Sequence, residues 1–164
     1  MLFRSMPLKH NVILVPVGFR DPIPGIQQGI NRSVFLELIS NSTLVRNKTK
    51  AIEEVVIHKY TDWSNPEEPL INRANSLNFL TDNGFRAPLV RAVEFFAKYG
   101  VKSYVFQLDF GPGDWYSWLG VYHGADFRYM FGYPLMNSSA SPNDTEVRFS
   151  RLFIKLWSSF AKTG

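Results

Sequence analysis

The sequence predicts an α/β protein, on three observations. Two short runs rich in β-branched or aromatic residues, 11–17 and 101–110, have strand character. Two longer stretches, 85–96 and 149–160, repeat their apolar residues at helical spacing. Strand-like and helix-like segments alternate along the chain, the pattern of a sheet built with crossover helices.

Each element follows from local chemistry. Asn11–Val17 is apolar at nearly every position, as a strand buried on both faces is. A signal peptide is the alternative there, since Arg4 and Lys9 precede the run. The run is short, however, Pro16 interrupts it, and no small-x-small cleavage step follows. Ser33–Ile39 and Lys50–Tyr60 read as helices. Asp62–Pro69 holds two prolines and an Asn-Pro step, so it reads as a turn-rich connector. Phe85, Leu89, Ala92, Val93 and Phe96 form one stripe, with Pro88 suited to a first helical turn and Gly100 to a C-terminal cap. Val101–Phe110 reads as a strand, expected to lie parallel to the 11–17 strand in a common sheet. Gly111-Pro112-Gly113-Asp114 reads as a turn. The last helix carries Phe149, Leu152, Phe153, Leu156, Trp157 and Phe160 on one stripe, with Asp144 and Thr145 as capping candidates.

Composition narrows the class. The chain has 164 residues, about one domain's worth, and 45% of them are hydrophobic, too many for a disordered protein. No apolar run approaches the ~20 residues of a membrane span. The absence of cysteine excludes a disulfide scaffold, a thiolate zinc site and a cysteine nucleophile within these residues. Eighteen basic residues against 14 acidic ones leave a net charge of +4, but Lys and Arg are scattered. The densest group, Arg46, Lys48 and Lys50, reads as a solvated helix end or loop, so no nucleic-acid partner is expected.

Five asparagines lie in N-x-[ST] acceptor steps: Asn31, Asn41, Asn47, Asn137 and Asn143. They fall in two polar clusters, and together they point to glycosylation and a secreted or extracellular protein.

Two stretches carry chemistry. In Trp118–Pro134 a histidine, His123, stands beside a glycine between a strand and a helix, where an α/β enzyme places a general base and where structural histidines also occur. In Val15–Gly25 a strand ends in a loop holding Asp21, a carboxylate that serves either as an acid or as a turn residue. Glu54 and His58 are four apart on a helix, but no third ligand is in register, so no metal is expected. The chain has no Gly-rich phosphate cradle and no G-x-S-x-G step, and no cofactor is expected.

The order of several motifs goes further. WLGVYHGADFRYMFGYPLM at 118–136, followed by FSRLFIKLWSSFAKTG at 149–164, resembles the C-terminal half of the type-B carboxylesterase and cholinesterase family. Tyr60-Thr61-Asp62-Trp63 is similar to that family's YTDW step, and Thr81-Asp82-Asn83 with Ala87-Pro88 resembles the start of its long helix. The resemblance implies an α/β-hydrolase fold, a mostly parallel sheet flanked by helices. It also implies that residues 1–164 are the later, partial portion of that domain, without the half bearing the nucleophile elbow.

Roles carry over by position. The resemblance puts His123 at the place of the catalytic base that takes a serine's proton and returns it to the leaving alcohol. Asp126, three residues on, takes a structural place, and Trp118 a packing one. The triad acid belongs after Val17-Gly18, usually within an Asp-Glu-Gly or Gly-Glu-Gly step. Here that stretch reads Phe19-Arg20-Asp21-Pro22-Ile23-Pro24-Gly25, the glutamate place falls near Ile23, and Asp21 is the carboxylate within reach. Two parents fit. One is a secreted serine esterase acting on a small-molecule ester, its hydrolysis impossible for this chain alone. The other is a neuroligin-like adhesion ectodomain binding a cell-surface protein.

Overall fold

The structure, a computed structural model, describes residues 12–13, 26–42, 44–45, 47–111, 117–136 and 143–164. In chain order its main elements are β1 (Val12–Ile13), α1 (Arg32–Ser40), α2 (Lys50–Tyr60), α3 (Pro69–Thr81), α4 (Ala87–Lys98), β2 (Val121–Tyr122), α5 (Ala125–Met130) and α6 (Asp144–Thr163).

The first three helices enclose a small apolar core. Asn31 starts α1, its side-chain oxygen accepting the Val34 N–H at 3.0 Å and the Ser33 hydroxyl at 2.8 Å. Phe35 and Ile39, four residues apart, then share one face and are wholly buried with Ile30, Val45 and Phe79. Helix α2 lays Val56, Ile57 and Tyr60 against this cluster. Both helices stand where the apolar spacing places them.

Helix α3 is the element the sequence does not announce. Its buried positions include Asn72, Ser76 and Thr81, which break any apolar stripe. Their polar atoms are satisfied within the fold. Asn72 donates to the Pro66 carbonyl at 3.0 Å, and the Ser76 and Thr81 hydroxyls each donate 2.8 Å bonds to the carbonyl one turn back. Pro69 occupies the first turn, where its missing N–H costs nothing.

From α3 the chain continues into α4 through a five-residue π turn, Asp82–Arg86. Pro88 sits in the first turn of α4, as expected, although α4 follows the π turn without a break. A proline lacks the N–H for the carbonyl four residues back and collides with it, and a widened turn relieves both faults. The long helical run from α3 to α4 ends as expected at Gly100: Gly100 N–H bonds the Ala97 carbonyl at 3.0 Å and Val101 N–H the Phe96 carbonyl at 2.9 Å.

The expected sheet takes a different form. β1 pairs in parallel with β2, Val12 opposite Val121 and Ile13 opposite Tyr122. The segment 101–110 carries no strand ladder among the described residues. Its alternation is real, and it is spent on α6 instead. Tyr104 meets Phe160 at 5.4 Å between ring centroids, Phe106 meets Trp157 at 4.9 Å, and Phe110 meets Phe149 at 4.4 Å. With Phe106 also 6.3 Å from Phe153, these aromatic side chains climb α6 at three- and four-residue steps. Strand propensity orders the side chains, but a ladder needs a neighbouring backbone to accept its hydrogen bonds.

Helix α6 is anchored where α5 crosses it. Tyr129 is wholly buried against Phe149 and Phe110, the Ser150 hydroxyl donates to the Tyr129 carbonyl at 2.8 Å, and Arg128 pairs with Glu146 at 3.5 Å. Of the six stripe residues, Leu152, Leu156 and Phe160 remain exposed, so the buried seam is narrower than the stripe and runs through Phe149, Phe153 and Trp157. The cap is Asn143, not Asp144 or Thr145: its side-chain oxygen accepts the Glu146 N–H at 2.8 Å. Asn143→Ala is expected to cost about 1 kcal/mol in urea denaturation of unglycosylated protein. Thr145→Ala, which removes the acceptor step but not the cap, is expected to cost less than half of that.

Candidate active site

His123 stands on the turn between β2 and α5, as the pattern of strand, glycine and helix predicts. The turn needs its glycine: Gly124 has φ +84°, a left-handed conformation that reverses the chain into the first turn of α5. The imidazole is solvent-exposed on one side. On the other it borders an open pocket of about 230 Å³. Phe85 and Leu89 from the long helical run, Val105 and Leu108 from the extended segment, and Val121 from β2 give that pocket an apolar wall. Arg86 and Asp126 supply its charged rim. A basic nitrogen beside an apolar recess suits a small, mostly apolar molecule with one reactive polar group.

The Phe85 ring lies 5.3 Å from the His123 ring, tilted by 43°. Phe85 belongs to the π turn, and a compact polar cluster grips that turn. Asp82 accepts the Tyr60 hydroxyl at 2.8 Å and an Arg86 guanidinium N–H at 2.8 Å. Burial pushes the Tyr60 phenol well above its ordinary range, and the neighbouring Asp82 carboxylate adds to the shift while Arg86 opposes it. Tyr60 therefore remains a hydrogen-bond donor throughout the physiological range. The sequence marks Phe85 as the start of a helical stripe and not as a site residue, and Arg86 carries no signal of its own beyond the nearby Thr81-Asp82-Asn83 step.

Other predicted residues divide clearly. Asp21 lies outside the described residues, as do Asn137, Arg46 and most of the 11–17 run. Asp126 is half-buried on the pocket rim, and Trp118 packs against Leu77 and Leu119 beneath the Arg73 guanidinium, 5.7 Å away. Glu54 pairs with Lys50 at 3.8 Å, and His58 packs on Trp63 at 5.3 Å. No group of three or more metal-ligating side chains occurs among the described residues. The four described acceptor asparagines have backbone roles. Asn31 and Asn143 cap α1 and α6, Asn41 ends α1, and Asn47 holds φ +70°, a left-handed position asparagine tolerates.

A short strand, a histidine-bearing turn and a helix thus stand together beside an apolar pocket. The chain belongs to the carboxylesterase family, whose model matches residues 16–164. It is 34% identical over 116 residues to an acetylcholinesterase of Gallus gallus, covering 70% of this chain and 15% of that protein. It is 31% identical over 137 residues to an acetylcholinesterase of Bungarus fasciatus, covering 82% of this chain and 22% of that one. The chain thus spans less than a quarter of the length of either relative. The family carries the α/β-hydrolase fold; among the described residues the strands are one short parallel pair, β1 and β2. No helix among them is long and apolar enough to cross a membrane.

Proposed function

We propose that this chain is the histidine-bearing portion of a secreted carboxylic ester hydrolase of the carboxylesterase and cholinesterase type. The observation that carries the reading is His123, on a strand-to-helix turn facing an apolar pocket, in a chain of that family. In such a hydrolase the imidazole takes the proton of a serine hydroxyl as it attacks the ester carbonyl. It then returns that proton to the departing alcohol, leaving an acyl-serine for water to cleave. Asp21 is the candidate acid that would orient the imidazole. The small-molecule ester would occupy the pocket beside Phe85 and Leu89. The five acceptor asparagines support an extracellular location.

Two things support a partial domain. The chain is short relative to its relatives, and much apolar surface stands open. Val90 and Phe95 on α4 are 55% and 59% exposed, and Val105 and Phe106 on the extended segment are each 51% exposed. This chain holds no G-x-S-x-G step. Without a nucleophile and oxyanion donors most of the rate enhancement has no source.

The chain alone is therefore expected to leave p-nitrophenyl acetate at the buffer rate. Turnover above that rate, abolished in His123→Ala, would overturn the view that the nucleophile lies elsewhere. The transcript around this chain decides the parent's class. A G-x-S-x-G step upstream supports the hydrolase. A glycine in place of that serine supports instead a non-catalytic, neuroligin-like adhesion protein, the reading favoured by the loop around Asp21, which lacks the family's glutamate step.

A further inference from the structure

We propose that Phe85 is a positioning residue for His123, and that the Tyr60–Asp82–Arg86 cluster holds it in place by locking the π turn. The inference rests on the reading of His123 as the base, and it adds what keeps that side chain in one orientation.

The geometry begins with the helix. A π turn inserts one extra residue into an otherwise α-helical run, so everything beyond it is rotated by about 100° relative to an uninterrupted helix. Asp82–Arg86 is such a turn, lying between α3 and α4. Phe85 lies inside the turn and in this phase meets His123, with ring centroids 5.3 Å apart. Relaxation to a continuous α-helix would swing the ring around the helix axis and away from the imidazole.

One bond from a second helix opposes that relaxation. An i,i+4 ion pair within the turn, of a spacing an α-helix also allows, holds the Asp82 carboxylate in place to receive it. The Tyr60 hydroxyl, from the end of α2, reaches across to the first residue of the turn, Asp82, at 2.8 Å. Arg86, the last residue of the turn, closes back on the same carboxylate at 2.8 Å. One carboxylate thus ties the two ends of the turn together and fastens them to a second helix. Tyr60 is itself fixed, its ring edge-on to the wholly buried Phe79 at 5.3 Å. The chain of contact runs from core to base: Phe79, Tyr60, Asp82, the π turn, Phe85, His123. An imidazole on an exposed turn has several rotamers open to it, and an aromatic wall against one face removes some of them before substrate arrives.

Nuclear magnetic resonance of the whole chain with labelled histidine and phenylalanine tests this without any activity. The chain has three histidines, and His123→Gln assigns the one of interest. The wild type is expected to show a cross-relaxation peak between the Phe85 and His123 rings. Tyr60→Phe, which keeps the packing on Phe79, is expected to weaken that peak. Asp82→Ala, which removes both bonds and also favours an ordinary α-helix, is expected to abolish it while the Phe35 and Phe79 core signals stay unchanged. Phe85→Leu, which leaves the cluster intact, is expected to shift the His123 ring resonances. A folded Asp82→Ala protein with the peak intact would overturn the locking role. Unmoved His123 resonances in Phe85→Leu would overturn the positioning role. Neither result depends on ester turnover, so a failure here is distinct from a failure of the hydrolase reading.

Discussion

Phe35→Ala is expected to lower the unfolding free energy by about 3–5 kcal/mol. The residue is wholly buried, and its neighbours Ile30, Ile39, Val45 and Phe79 come from three separate stretches of chain. Removing the ring leaves a cavity that α1 and α3 cannot both move to fill, because Asn31 caps the first and Pro69 starts the second. The Arg32 guanidinium, 4.9 Å above the ring, loses its aromatic partner as well. A domain holds roughly 5–15 kcal/mol in total, so the variant is expected to be partly unfolded near body temperature. Urea denaturation followed by helix circular dichroism checks it. A loss under 1 kcal/mol would mean that these five side chains are not the tight core described.

Gly29→Ala is the second large effect, and it comes from backbone instead of burial. Gly29 has φ +116°, and a Cβ built there would sit 2.6 Å from the Pro69 Cβ and 2.8 Å from its carbonyl oxygen. Those are overlaps with the first turn of α3, whose backbone cannot give way. The next residue, Ile30, donates its N–H to that same Pro69 carbonyl at 3.0 Å and buries its side chain in the core. Alanine therefore strains the dihedral and pushes apart a contact that seats Ile30. A loss of about 2–5 kcal/mol is expected, against a few tenths for Gly84→Ala, whose added methyl would meet nothing within 4 Å. Comparable midpoints for the two variants in thermal denaturation would contradict the close approach.

How far the sequence reached depended on whether each signal was local. Helices α1 and α2 and the apolar stripe of α6 follow from apolar spacing, which acts over four residues, whereas the cap of α6 falls on Asn143 and not on Asp144 or Thr145. Helix α3 escaped because its buried face carries Asn72, Ser76 and Thr81, satisfied by carbonyls that only the folded backbone brings near. The acceptor asparagines show a different overlap. An asparagine with a hydroxyl residue two positions on is an acceptor step and also a good helix start, as the Ser33 hydroxyl bonded to the Asn31 side chain illustrates. At Asn31 and Asn143 the same letters serve the cap, whatever else they serve.

The sequence by itself determined the family, the position of His123 on a turn after a strand, the stripe of α6 and the stop at Gly100. Those features are written in spacing and in side-chain type, and neither needs a distant partner. Only the tertiary structure decided that 101–110 packs its aromatic residues on α6 without a ladder. It alone showed that β1 pairs with β2, and that α4, with Pro88 in its first turn, follows a π turn without a break. The reason is the same in each case. Hydrogen bonds between strands, and the phase of a helix past an inserted residue, depend on which remote groups are present to accept a bond. A side chain's own preferences do not contain that information, which is why Phe85 and His123 met only in three dimensions.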